Sequence, residues 1–333
     1  MKKLGHKETK TGNQLLILQT ILSGNGLSRI ELAEKTQLSP STVTSLTADL
    51  LKRGIIEESG TKIITAGRAR TELTVSNSLG YLLVLEISHG CIYITTLSMR
   101  LKILSTRQIR IRFMDGNSIF SVVAKEIVEV PRAEPLAGIG ILFQEDVREQ
   151  GFHVMYSTGY EAANISLKDA LKTQFRVPVL EDSVAAFTVT DVIREAGMEK
   201  RNVAHIQLGA QIRTVLQIDG GTVTLKDHFV EDLSSMLPEE APSEKEKPLV
   251  CRLAMLLNIL YAMFRLDTVL IAGKQTLSEC FLEELRGCVS TRFTQGKKPD
   301  IVLIREGSRE RTAIGFAARV RAKCIQVRLE GAV

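Results

Sequence analysis

The sequence predicts an α/β protein whose first 75 residues form a separate module of short helices and a hairpin. Three observations lead to this prediction. Two helix-start signals and one hairpin signal lie close together before residue 76. Apolar strand patterns then alternate with amphipathic helix patterns through the rest of the sequence. Hydrophobic residues make up 44% of the 333 positions, which excludes a mainly disordered chain.

Two helix starts define the module. Ser28 is followed three residues later by Glu31, which is the spacing of a capping box. Ser39 suits the N-cap of the next helix, and Pro40 suits its first position, where a missing N–H is not needed. The sequence therefore predicts two helices separated by a tight turn.

The second of these helices has two distinct faces. Val43, Leu46 and Leu50 recur at helical spacing and predict a buried side. The other side is predicted to carry short hydroxyl side chains, namely Ser41, Thr42, Thr44, Ser45 and Thr47. A polar face without acidic groups is typical of a recognition helix that enters the DNA major groove.

The flanking residues fit a winged helix-turn-helix. The segment 13–23 is an apolar-periodic helix that completes a three-helix core. Lys52 and Arg53 suit the C-terminus of the recognition helix, and Gly54 suits its C-cap. A hairpin from residue 55 onward predicts the wing. The residues predicted to contact DNA are Ser41, Thr42, Thr44, Ser45, Lys52, Arg53 and, near the wing tip, Arg68 and Arg70.

The charge is concentrated in this module. Residues 1–75 contain 11 Lys and Arg against 7 Asp and Glu, although the net charge of the whole chain is only +5. Because this excess is modest, one module would bind DNA weakly. We therefore expect a homo-oligomer, a dimer or a tetramer, that places two recognition helices about 34 Å apart on double-stranded DNA.

The composition also excludes some classes of protein. No run of about eighteen uncharged apolar residues predicts a membrane span, and the first residues lack the apolar core of a signal peptide. We therefore expect a cytoplasmic location. The five cysteines are far apart, with no C-x-x-C pair, and predict reduced thiols without disulfides or a metal site.

The remaining residues predict an α/β domain with one break in composition. Strands are predicted at 81–87, 91–97, 103–113, 137–143, 177–180, 203–208, 214–218, 222–225 and 268–272. Helices are predicted at 118–130, 167–174, 183–196, 249–264 and 311–325. The Glu-, Pro- and Lys-rich stretch 234–248 predicts an exposed loop.

Several stretches, taken in order, resemble one family. They are the module from Asn13 to Arg68, GIGI at 138–141, GY at 159–160 with FRVPV at 175–179, EDSVAA at 181–186, LIAG at 270–273 and AIGFAA at 313–318. Together they resemble the ROK family, which contains sugar-responsive repressors and sugar kinases. The resemblance implies a winged helix-turn-helix at 1–75 and a two-lobed, actin-like domain. Its lobes would be 76–190 and 191–333, with the C-terminal helix 311–325 packing back toward the first lobe.

The sequence departs from the family at its nucleotide and zinc segments. The first phosphate hairpin of the kinases, Asp-x-Gly-Gly-Thr, is replaced by EISHG at 86–90, and the second loop reads LGAQIR at 208–213. Side chains at these positions obstruct the close backbone approach that a phosphate needs. The family's Cys-rich zinc run is absent, and His228 is the only histidine nearby. We predict neither a nucleotide cofactor nor a metal.

The resemblance also implies a ligand cleft near Gly138, Gly140, Glu181 and Asp182. A sugar or sugar phosphate would be the effector bound there. Asp182 matches the catalytic base of the kinases, but it also suits a helix N-cap, a ligand contact is a third option, and these interpretations remain open.

The leading hypothesis is a DNA-binding transcriptional regulator, a repressor of sugar-related genes with a non-catalytic kinase-derived domain. Two alternatives stay open. One is an active sugar kinase joined to a DNA-binding module. The other is a protein-interaction module on the same scaffold, because helical hairpins with hydroxyl faces also occur in proteins that never contact DNA.

Overall fold

The structure is a computed structural model in two compact units. It describes residues 6–331 except for residues 25, 65–67, 114, 130–132, 145–146, 148–151, 158–161, 209–211, 224–230, 233–246, 274–278, 291–297 and 305–307. Unit 1 comprises residues 1–142, 150–181 and 313–333, and unit 2 comprises residues 143–149 and 182–312.

Unit 1 begins with the predicted helices and hairpin. These are α1 (His6–Ser23), α2 (Arg29–Thr36), α3 (Pro40–Lys52), β1 (Ile56–Ile64) and β2 (Arg68–Val75). The capping box is present, since Ser28 and Glu31 bond each other's backbone N–H groups. The Ser39 side chain accepts a hydrogen bond from the Thr42 N–H at 3.2 Å, with Pro40 at the first helical position. Helix α1 begins seven residues before the predicted Asn13 because its first two turns are polar and give no periodic signal.

The rest of unit 1 is built on a sheet of five strands. Its elements are β3 (Tyr81–Ser88), β4 (Cys91–Ser98), β5 (Ile103–Arg110), α4 (Gly116–Glu129), β6 (Leu136–Phe143), β7 (His153–Ser157), β8 (Ala162–Ser166), α5 (Leu167–Phe175) and β9 (Val179–Ser183). The strand order is β5-β4-β3-β6-β9, and β7 pairs with β8 in a separate hairpin. Strand β3 is buried along seven of its eight residues, so the sheet forms the centre of the unit.

Unit 2 is a mixed sheet with helices. Its elements are α6 (Val184–Glu195), β10 (Val203–Leu208), β11 (Ile212–Ile218), β12 (Gly221–Thr222), β13 (Glu231–Asp232), α7 (Lys247–Phe264), β14 (Thr268–Gly273), α8 (Glu279–Ser290) and β15 (Asp300–Leu303), and the chain ends with α9 (Arg309–Glu330). Strands β10, β14 and β15 are parallel, and β11 pairs antiparallel with β10. Leu253 of α7, Leu285 of α8 and Val269 of β14 belong to one buried core cluster. Helix α9 starts in unit 2 and continues from Ala313 in unit 1.

The α/β fold class is confirmed, but the predicted boundary between the strand 177–180 and the following helix is wrong. The predicted strand 177–180 is β9, which runs through Asp182 to Ser183. Ser183 caps helix α6, because its side chain accepts from the Ala186 N–H at 3.0 Å. The N-cap interpretation of Asp182 is therefore wrong. Asp182 instead accepts a hydrogen bond from the Ser183 N–H at 2.9 Å.

Other elements had no counterpart in the sequence analysis. These are β7, β8, β13, α8 and β15. The predicted strand 222–225 is found only at Gly221–Thr222, and its last residues lie outside the described ones. Strand β5 ends at Arg110, before the predicted 113, and α9 continues five residues past the predicted 325.

Candidate nucleic-acid interface

Helix α3 is seated in the module by its apolar side. Val43, Leu46 and Leu50 are buried, as the periodicity predicted. Helix α3 contacts α1, α2 and β1. A hydrogen bond of 2.6 Å from Gln14 of α1 to Asp49 fixes the helix further. This bond also occupies the only carboxylate of α3.

The opposite side of α3 presents the predicted hydroxyl groups to solvent. Ser41, Thr44 and Ser45 are exposed, and Thr42 is half-buried. The hydroxyls of Ser41 and Thr42 lie 2.9 and 2.8 Å from that of Ser39, so both belong to the N-cap network.

The hydroxyls of Thr44 and Ser45 differ in their hydrogen bonding. The Thr44 hydroxyl donates to the Pro40 carbonyl at 2.8 Å, which leaves its lone pairs as acceptors. The Ser45 hydroxyl has no hydrogen-bond partner among the described residues. Ser45 is therefore the most available polar contact on this face.

The prediction of the solvent-facing residues of α3 contains one error, Thr47, and one omission, Ala48. Thr47 is fully buried, and its hydroxyl donates to the Val43 carbonyl at 2.8 Å and accepts from Arg29 Nε at 3.3 Å. It lies four residues after Val43 and three before Leu50, both buried, so strict helical counting would have placed it inside. Ala48 was missed; it is exposed and lies four residues after Thr44 and three after Ser45. Ala48 therefore completes the outer face, where its methyl group suits contact with a thymine methyl.

The two cations at the end of α3 differ in their surroundings. Lys52 is exposed. Arg53, in contrast, donates hydrogen bonds from Nη2 to the carbonyls of Arg328 and Leu329, at 2.7 and 3.1 Å. Arg53 is thus held by the last turn of α9, although the sequence predicted a phosphate contact.

The wing is the antiparallel pair β1–β2. Ile64 lies opposite Arg68 and Lys62 opposite Arg70, so basic residues occupy both strands near the tip. The connecting residues 65–67 and the side chain of Arg68 lie outside the description, and Arg70 is half-buried. Arg29 of α2 pairs with Glu58 of β1 at 3.2 Å, which ties the wing to the helices.

The four residues of the predicted ligand site lie on two adjacent strands of the five-stranded sheet, Gly138 and Gly140 on β6 and Glu181 and Asp182 on β9. A side chain at Gly138 would place its Cβ 2.5 Å from Cys324 Sγ, and one at Gly140 would place it 2.8 Å from the Phe316 ring. Packing against α9 thus accounts for both glycines. Glu181 is exposed and lies 3.9 Å from Lys168, while Asp182 belongs to unit 2. Their role in ligand binding stays a prediction.

The segments that would hold a nucleotide or zinc are only partly described. His89 and Gly90 form the tight turn between β3 and β4, where the Ser88 hydroxyl donates to the Cys91 carbonyl at 3.3 Å. Three parts of these segments lie outside the described residues, namely residues 209–211, His228 and most of the stretch 234–248. Among the residues that are described, no group of three or more His, Cys, Asp or Glu side chains is arranged to hold a metal ion. No helix in the described parts of the chain is long and apolar enough to cross a membrane.

Comparison with known proteins agrees with this architecture. The winged helix-turn-helix DNA-binding family matches residues 11–57. A solved ROK family transcriptional regulator, described as a homolog of the E. coli MLC protein, superposes with a TM-score of 0.64 at 15% identity. The superposition covers 97% of this chain and 98% of the other. The chain has the fold of a ROK family regulator.

Sequence relatives point in the same direction. The xylose repressor of Caldicellulosiruptor bescii is 23% identical over 186 residues, which are 54% of this chain and 47% of that protein. The xylose repressor of Bacillus subtilis is 24% identical over 243 residues, 69% of this chain and 59% of the relative. The chain thus spans about half the length of the curated relatives that it matches. The chain is therefore similar in sequence to proteins named xylose repressors.

Proposed function

We propose that this chain is a DNA-binding transcriptional repressor of sugar-related genes. It acts in the cytoplasm as a homo-oligomer whose paired modules bind a pseudo-palindromic double-stranded operator. One observation carries the proposal: α3 buries Val43, Leu46 and Leu50 and exposes Ser41, Thr44 and Ser45. The relatives named xylose repressors support both the function and the link to sugars.

In this proposal the exposed face of α3 lies in the major groove. Ser41, Thr42, Thr44 and Ser45 contact bases or phosphates there, and Lys52 contacts the flanking backbone. Arg68 and Arg70 act from the wing on the minor groove or its phosphates. Hydroxyls discriminate bases less sharply than bidentate Arg or Asn, so DNA shape supplies part of the sequence preference.

Pairing of two copies is supported by an exposed apolar ridge on α7. Met255, Ile259 and Met263 follow each other at four-residue spacing and are 45, 46 and 67% exposed. Exposed apolar groups in such a row mark an association surface. Ridges at this spacing pack against one another between helices, and a two-fold axis at Ile259 brings the same ridge of a second copy into place.

We propose no catalysis for the kinase-like domain. The turn at His89 and Gly90 carries an exposed histidine where the kinases have glycine, which supports the loss of phosphate binding. A coupled ATP assay with xylose and N-acetylglucosamine tests this. Turnover that disappears in the Asp182→Asn variant would favour the kinase alternative.

An effector sugar would act by binding one arrangement of the protein better than another. Gly138, Gly140, Glu181 and Asp182 remain the proposed positions for it. Calorimetric titration with free and phosphorylated sugars tests this part, and silence across the panel would favour a regulator without a sugar effector.

DNA binding itself is tested with a single charge on α3. We expect the Ser45→Glu variant to bind a fragment from the strongest genomic footprint about a hundredfold more weakly, because its carboxylate faces the phosphates. Fluorescence anisotropy at several salt concentrations measures this, and the wild-type affinity should fall steeply with salt. The control is Gln19→Glu, which adds the same charge at an exposed position of α1. Equal loss in both variants, or association insensitive to salt, would favour the protein-interaction alternative.

A further inference from the structure

The module is joined to the rest of unit 1 by a short, packed linker, residues 76–80. Ser76 and Leu79 of the linker are buried. Gly80 has a φ of +128°, and a Cβ there would collide with the Pro135 carbonyl. The Tyr81 N–H donates to that same carbonyl at 2.9 Å. The linker therefore lies against the chain just before β6 and does not act as a free tether.

Helix α9 contacts the C-terminal end of α3 through Arg53. The Arg53 guanidinium donates to the carbonyls of Arg328 and Leu329, which are 275 and 276 positions away in sequence. These carbonyls belong to the last turn of α9, where they lack partners within the helix. A cation is also favoured at this end by the helix dipole.

A second arginine, Arg321 of α9, contacts the end of α1. Arg321 is buried, and it donates from Nη1 to the Met99 carbonyl at 3.1 Å and from Nη2 to the Leu22 carbonyl at 3.4 Å. One guanidinium thus joins the end of α1 to the turn between β4 and β5. Burial lowers the pKa of Arg321 to about 10, so the group remains charged at neutral pH.

A third arginine fixes the base of the wing. Arg100, in the turn between β4 and β5, pairs with Glu57 of β1 and lies 3.5 Å from the Val75 carbonyl of β2. The ends of α1, α3 and the wing are therefore each attached to the body of unit 1 by a different arginine. Three separate attachments are enough to fix an orientation.

We infer that Arg53 and Arg321 are positioning residues that fix the orientation of α3 relative to the five-stranded sheet of unit 1. They thereby set the distance between half-sites that a pair of modules can read. This inference rests on the proposed function. A module whose orientation is already fixed loses little rotational entropy when it binds at the matching half-site spacing, and it binds more weakly at other spacings. A tethered, rotating module would tolerate many spacings.

Half-site spacing provides the test, because a merely stabilising role would not affect it. The wild type and the variants Arg53→Gln, Arg321→Gln and the double variant are titrated with the footprinted fragment. They are also titrated with a copy that carries about five extra base pairs, half a helical turn, between the half-sites. Lys323→Gln is the control, since it removes one charge from the exposed side of the same helix.

We expect the insertion to weaken the wild type and Lys323→Gln by about a hundredfold, and the double variant by only about tenfold. A thermal melt accompanies each titration. Arg53 is exposed, so its variant remains informative if loss of the buried Arg321 impairs folding. Equal penalties in all folded variants would overturn the inference while leaving the proposed function intact. Failure of the wild type to bind any genomic fragment would overturn both.

Discussion

The winged-helix module exposes a row of polar side chains on α3, whereas unit 2 buries the polar side chain of His205 in its sheet. In the module, α3 turns Ser41, Thr44 and Ser45 toward solvent. In unit 2, His205 of the central strand β10 is 3% exposed, and neither ring nitrogen has a hydrogen-bond partner among the described residues. A polar group that is exposed is available to a partner such as DNA. One that is buried without a partner costs free energy.

This difference shows when a sequence pattern is enough to predict an exposed binding face. On α3 the polar residues recur with the period of the helix, so the pattern itself identifies the face that meets solvent. His205 stands between Ala204 and Ile206 in an apolar strand, and its neighbours across the sheet are Val215 and Leu270. Nothing local distinguishes it from a histidine with a role in binding.

The largest effect predicted from this comparison is the contribution of His205 to the pH dependence of the free energy of unfolding. Burial lowers the pKa of His205 from 6.5 to about 4. Above pH 6.5 the ring is neutral in both the folded and the unfolded chain. As the pH falls from 6.5 toward 4, the unfolded chain takes up a proton that the folded chain does not. We expect the free energy of unfolding to fall by about 3 kcal/mol over this range from His205 alone.

The measurement is urea unfolding at several pH values, for the wild type and for His205→Leu. The variant should lose this part of the pH dependence, and it should be as stable as the wild type or more stable at pH 7 because two unpaired nitrogens are removed. Gln19→Leu, at an exposed position of α1, should keep the wild-type profile. Parallel pH profiles for the wild type and His205→Leu would refute this account.

A second test concerns the glycines of β6. Replacing Gly140 by Val would place the side chain against the Phe316 ring and Val320. We expect the free energy of unfolding to fall by about 2 kcal/mol through overpacking. The control is Gly12→Ala in α1, where the added Cβ meets nothing within 4 Å. If Gly140→Val melts like the wild type but loses sugar binding, the glycine serves a ligand and the packing account fails.

The smallest effect is expected at the wing. The Arg70→Gln variant removes one cation that lies opposite Lys62 in the hairpin register. We expect binding to the footprinted fragment to weaken severalfold, and the slope of log affinity against log salt to decrease by about one. Arg110→Gln, exposed in β5, should leave both quantities unchanged. An unchanged slope for Arg70→Gln would remove the wing from the interface.

Most of the fold could be predicted because its signals are local. Caps at Ser28 and Ser39 act within one helical turn, and the strand patterns of β3, β4 and β10 are continuous. Short or partly polar elements were missed. Strand β15 has only four residues with alternating exposure, and α8 has exposed Glu and Cys residues at its start. Neither element therefore has a hydrophobic pattern distinct from that of the flanking sequence.

The sequence by itself determined the three helices, the wing and the two faces of α3, because capping and periodicity depend on neighbours a few residues apart. Only the tertiary structure decided that Arg53 meets Leu329, that Arg321 meets Leu22, and that Gly138 makes room for Cys324. These contacts join residues that are 186 to 299 positions apart. Their partners are fixed by packing of the whole unit, which no local pattern encodes.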